Sequence, residues 1–155
     1  MADARPVELA KRVAAELAAA PFETKPTLIE RVYLPNAELK ETGLLKVMVA
    51  VAGWRMASDN RAEWEYQIQI DVGVLYRAAD NIGAEATAAF DKASRLLEQI
   101  ADMYRFQRTG TEKDFRIESV QFGGGGDQPY FQEHIAQFKQ FTGVVSLTFV
   151  QLRGE

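Results

Sequence analysis

Three features of the sequence predict an α+β domain in which helices pack on one face of a mostly antiparallel sheet built around a long hairpin. The first is EWEYQIQIDVGV, residues 63–74, where every even position is apolar and every odd one is polar or glycine. Such alternation is the period of a strand with one covered face, and twelve residues of it extend about 40 Å. The second is a helical pattern over residues 84–105, with apolar side chains at three-and-four spacing. The third is the order of the elements, α-β-β-β-α-β-β, which segregates helices from strands instead of alternating them.

Each element has its own justification. Pro6 suits the first turn of a helix, where its missing N–H costs nothing; Leu9, Val13 and Leu17 then recur every four residues, and Pro21 ends the stripe. Residues 27–35, TLIERVYLP, read as a first strand bracketed by Pro26 and Pro35. Residues 44–54, LLKVMVAVAGW, are apolar on both faces and read as a central strand. A Ser-Asp-Asn cluster at 58–60 supplies turn chemistry before the alternating strand. A hairpin of this length is expected to project beyond the core, its long strand completed by a neighbouring copy that pairs with it or packs beside it.

In the long helix, Ala86, Phe90, Ala93, Leu97, Ile100 and Tyr104 mark the face that packs on the sheet. FRIESVQF, residues 115–122, follows as a strand, residues 130–141 can make a helical turn or two, and FTGVVSLTFVQL closes the chain as another strand. The 155 residues form a single domain by size, with 47% hydrophobic and 26% charged residues, the balance of a soluble globular protein. No run reaches the roughly 18 apolar residues of a membrane span, and the N-terminal stretch lacks the form of a signal peptide.

Composition also narrows the chemistry. There is no cysteine, so thiolate metal sites, disulfides and cysteine nucleophiles are excluded. Eighteen basic against 22 acidic residues give a net charge of −4, with the basic residues scattered, which argues against gripping nucleic acid. FGGGGDQPYF, residues 122–131, follows a strand as a phosphate loop would, but Asp127 and Pro129 stand where such a loop needs a basic residue. His134 is the only histidine, and its neighbour Glu133 does not share its face; it reads as surface or packing. Metal and cofactor sites are therefore not expected. Glu63, Glu65 and Asp71 lie on the polar face of the long strand among Gln67, Gln69 and Gly73, a solvated setting unlike the apolar pocket a catalytic acid requires. No catalytic motif is present, and an enzyme is not expected.

Trp54, Arg55, Met56, Arg61 and Trp64 cluster at the end of the hairpin, a composition that interfaces favour; for the two tryptophans a core position fits as well. The four glycines Gly123, Gly124, Gly125 and Gly126, with Asp127, read as a docking loop that stays mobile until a partner orders it.

The layout resembles the small tail-terminator and neck (head–tail joining) proteins of long-tailed bacteriophages. The resemblance lies in an amphipathic N-terminal helix, then VYLPNAELK, the long hairpin LLKVMVAVAGW…NRAEWEYQIQIDVGVLYRA, one long helix, a Gly-rich loop and the closing QFKQFTGVVSLTFVQL. An IDVGV-like strand end at residues 70–74 and an F-x-x-V-x-x-L-T-F-like strand at 141–149 are its most family-like stretches. It implies a structural virion protein, made in the host cytoplasm, that forms a homo-hexameric ring on the tail tube and joins it to the head connector or stopper. DNA passes through the ring without sequence-specific binding, and no cofactor or membrane is involved. Glu63, Glu65 and Asp71 are then candidates for the lumen wall, since acidic groups do not hold phosphates. Another neck component, such as a head-completion or stopper protein, fits the same layout. A different class, a small-molecule-binding α+β domain with its pocket between the sheet and the long helix, remains the rival reading.

Overall fold

The computed structural model describes residues 3–33, 39–58, 64–80, 82–105, 115–123 and 130–153. Within them the elements run α1 (Arg5–Ala19), β1 (Leu28–Arg31), β2 (Leu45–Ser58), β3 (Trp64–Arg77), α2 (Ala84–Arg105), β4 (Arg116–Phe122), α3 (Gln132–Phe138) and β5 (Gln140–Arg153). The five strands form one sheet in the order β1-β2-β3-β5-β4, antiparallel except for the β1/β2 pair. The α+β class and the hairpin follow the sequence reading, and α3 is the short helical stretch expected between the last two strands.

Helix α1 begins at Pro6 in its first turn and carries Leu9, Ala10, Val13 and Leu17 on its buried side. It stops because Pro21 pushes the preceding Ala20 into extended backbone (φ −71°, ψ 142°). Its stripe lies over the first two strands, while α2 lies over β3, β5 and β4. Both helices cover the same sheet face: Val47 and Val49 of β2, Ile68, Ile70, Val72 and Val74 of β3, and Phe141, Val145, Leu147 and Phe149 of β5 join one core with them. Tyr104, near the end of α2, is fully buried, meets Phe149 edge-on (6.2 Å between centroids) and donates its hydroxyl to Glu16 of α1 at 3.2 Å. Burial above all, and then the Glu16 carboxylate, hold this phenol well above its usual ionisation range.

Two expectations need correction. The first strand is short, Leu28–Arg31, and runs parallel to β2 at the sheet edge, anchored by a Lys46–Glu30 ion pair at 2.8 Å. The chain leaving it reaches the far face of the sheet, where Leu39 packs with Met48, Leu75 and Val32 and its N–H donates to Gln140 Oε1 at 2.6 Å. More consequentially, β3 is not left for a neighbouring copy to pair with. It is paired along all 14 residues by β5, from Trp64↔Arg153 to Arg77↔Gln140. The physical reason is that the closing strand is as long as β3 and as apolar on its covered face, so it buries the same stripe from the other side. The extension is thus a three-stranded ribbon of β2, β3 and β5.

Candidate assembly surface

β1 pairs with β2 only as far as Val49, and Val32 adds one bond to the Val49 carbonyl at 2.8 Å. From Ala50 to the end of β2, no described strand pairs with the outer edge. An irregularity between Val51 and Gly53 interrupts the β2/β3 register there, and Trp54, Arg55 and Met56 then pair with Ile68, Gln67 and Tyr66. Trp54 therefore sits on the helix-covered face of the sheet, beyond the helix that should cover it. It is 56% exposed, and Met56 is 53% exposed. Of the two readings open to the tryptophans, Trp54 takes the surface one. Trp64 opens β3 opposite Ser58; its side chain, like Arg61 and Glu63, lies outside the described residues.

The start of α1 closes over the neighbouring part of this region. The Arg5 guanidinium stacks on the Tyr66 ring at 4.4 Å and donates to Gln151 Oε1 at 2.8 Å, so one cation joins the helix to two strands. Arg55 stands on the opposite face, exposed.

That opposite face carries the polar alternation. Glu65 and Asp71 are both half-buried on it, six positions apart, as expected for one strand face. Asp71 Oδ1 accepts from Ser146 Oγ at 2.7 Å and from Gln69 Nε2 at 3.2 Å. Gln67 donates to Glu118 of β4 at 3.1 Å. These bonds tie three strands together side to side.

Gly123 is a partial correction to the docking loop. It is buried, has φ +73° and donates its N–H to the Val144 carbonyl at 2.7 Å, so it is a fixed turn that ends β4 and requires the left-handed region glycine tolerates. Gly124, Gly125, Gly126 and Asp127 lie outside the described residues. His134 is held between Phe131 (5.2 Å) and Phe138 (5.6 Å), with Nδ1 bonded to Thr142 Oγ1 at 2.8 Å, a packing role.

A feature the sequence reading missed is a cleft of about 750 Å³ between α2 and β4, lined by Leu97, Ala101, Val120, Phe122 and Tyr130 with Arg105 at its rim. Its α2 side is a stripe at three-and-four spacing, Ser94, Leu97, Glu98, Ala101, Asp102 and Arg105. The signal was available in part: Leu97 belongs to the sheet-facing side of α2, but β4 has only seven residues and leaves part of that side uncovered. Among the described residues no group of three histidines or carboxylates could hold a metal ion, and no helix is long and apolar enough to cross a membrane.

No protein-family model matches the chain, and no curated protein shows significant sequence similarity to it.

Proposed function

We propose that this chain is a structural subunit that acts by assembling with copies of itself, as the homo-hexameric ring at the head–tail junction of a long-tailed bacteriophage. In this reading the ring caps the tail tube, meets the head connector or stopper above it, and lets DNA pass through its lumen without catalysis. The observation that carries it is the outer edge of β2 from Ala50 onward, which no described strand pairs, with Trp54 and Met56 exposed beside it. An exposed strand edge flanked by large apolar side chains is costly for a protein that works alone, because it templates association.

The polar face of β3 supports the lumen role. Asp71 and Glu65 are set among hydrogen-bonding side chains, with Ser146 and Gln69 holding the Asp71 carboxylate in place. A wall of fixed acceptors repels phosphates, so DNA slides past without the phosphate contacts that would hold it. The cleft between α2 and β4 is the observation that favours the rival, small-molecule reading. Its lining is mainly apolar, and Asp102 and Arg105 at its mouth pair with each other at 3.6 Å.

The test is location. An epitope-tagged copy, labelled with antibody and imaged on purified virions, is expected as a band at the junction of head and tail. Its absence from particles would overturn the neck assignment.

A further inference from the structure

The two outer edges of the sheet match each other. β4 is antiparallel to β5, and β5 runs with β2, so β4 is antiparallel to β2. Arg116 pairs with Val150, Val150 with Gln67 and Gln67 with Arg55; likewise Phe122 leads through Val145 and Val72 to Val49. β4 thus stands at the height of residues 49–55 of β2, on the opposite side of the sheet. A second copy displaced sideways by the width of the sheet brings its β4 against β2 in antiparallel orientation, with the helices of both copies on the same face.

Sliding that copy two residues toward the ribbon tip clears β1, which ends opposite Val49. All of 116–122 then faces the stretch 51–57, whose outer edge no described strand pairs. The irregularities in the two strands, at Val51/Gly53 and at Ile117/Ser119, keep the faces aligned: Gln121 comes opposite Gly53, Val120 opposite Trp54, and Ile117 opposite Met56. On the polar face Ser119 comes opposite Arg55, and Glu118, the extra residue of β4 beside it, carries its carboxylate on the same face toward Gln67 and next to Arg55, a favourable cross-strand charge contact. Without the slide Arg116 would meet Arg55, which is unfavourable.

We infer that neighbouring copies join by adding β4 of one to the outer edge of β2 of the next, with Trp54 seated in the cleft between α2 and β4. This deepens the ring reading and rests on it. The cleft, apolar and bounded by Val120 and Phe122, opens on the same sheet face as Trp54, and Phe122 is itself 42% exposed. Exposed apolar groups at both edges are buried by one contact, and the backbone donors and acceptors of two edge strands satisfy each other. Because the two surfaces differ, the contact is head-to-tail and repeats, closing as a ring when the rotation per step allows.

The absence of cysteine makes a direct test possible. In the double variant Gly53→Cys, Gln121→Cys, the two thiols of one chain stand three strand spacings apart, about 14 Å, too far to bridge. Across the proposed contact they are directly opposed. Gly53 accepts a side chain, since its nearest neighbour, Gln69 Cβ, would lie 3.7 Å from the added carbon. Mild oxidation of the concentrated double variant is expected to give a ladder of disulfide-linked species beyond the dimer, collapsing on reduction, and each single variant at most a dimer. Trp54→Ala should weaken assembly at least tenfold by sedimentation, and indole emission of the parent protein should shift to the blue as it assembles. Arg55→Glu and Glu118→Arg should each weaken assembly about fivefold and restore it together.

Assembly without a ladder overturns this edge pairing and leaves the ring reading standing. Ladders that stop at the dimer also overturn it, since the contact would then be two-fold. A chain that stays monomeric at the highest concentration reached and forms no ladder overturns both.

Discussion

The two ends of the β2–β3 ribbon share one alternating pattern and have opposite surroundings. At the near end Val47, Val49, Val72 and Val74 are fully buried under the helices, β1 seals the outer edge, and Leu39 packs on the far face. At the far end Trp54 and Met56 occupy the same face, yet more than half of each is exposed and the edge has no described strand beside it. Alternation says which side chains share a face; it does not say what lies over that face. That is decided by where α1 begins and how short β1 is.

Substitutions should separate the two ends sharply. The largest effect is expected at the near end: Ile70→Ala removes a fully buried side chain between β2, β5 and the helices and should cost about 2–5 kcal/mol, read as a fall in the urea midpoint with unchanged slope. Tyr104→Phe should cost about 1 kcal/mol by removing the bond to Glu16. Its pH signature is distinctive. The folded phenol is held protonated, so its contribution is intact below the ordinary value of 10.0 and is lost as the pH rises above it, because the unfolded chain ionises and the folded one does not. The parent should therefore lose stability more steeply in alkali than the phenylalanine variant, measured by denaturant titration across that range. At the far end Trp54→Ala should change monomer stability by no more than about 0.5 kcal/mol. A loss like that of Ile70→Ala would mean that the far end is core after all.

Much of the fold was legible because it rests on local periodicity. Leu9, Val13 and Leu17 placed α1, the three-and-four spacing gave Ala84–Arg105 its bounds, and the even positions from Tyr66 to Val74 marked the covered side of β3. What periodicity does not carry is pairing between distant strands. The pattern in residues 141–152 identified a strand, but nothing within it says that it runs beside β3 for 14 residues, 63 to 89 positions away in sequence. The parallel seating of β1 was equally illegible, since a four-residue strand has too few positions to reveal its partner. Of the assembly surface, Trp54, Arg55 and Met56 were visible from composition. Glu118, Val120 and Phe122 were not, because only the register of the whole sheet brings them level with β2.

The irregularity at Ala52 has an outsized consequence for which flank of the molecule is greasy. In β2 the odd-numbered residues Val47, Val49 and Val51 point toward the helices, but after one supernumerary residue that job passes to the even-numbered Trp54 and Met56. Were Ala52 paired in plain alternation instead of bulged out, the indole and the thioether would turn toward the carboxylates and the arginine toward the helices, whereas deleting it would leave them where they are. One exposed alanine thus acts as the rudder of the ribbon tip.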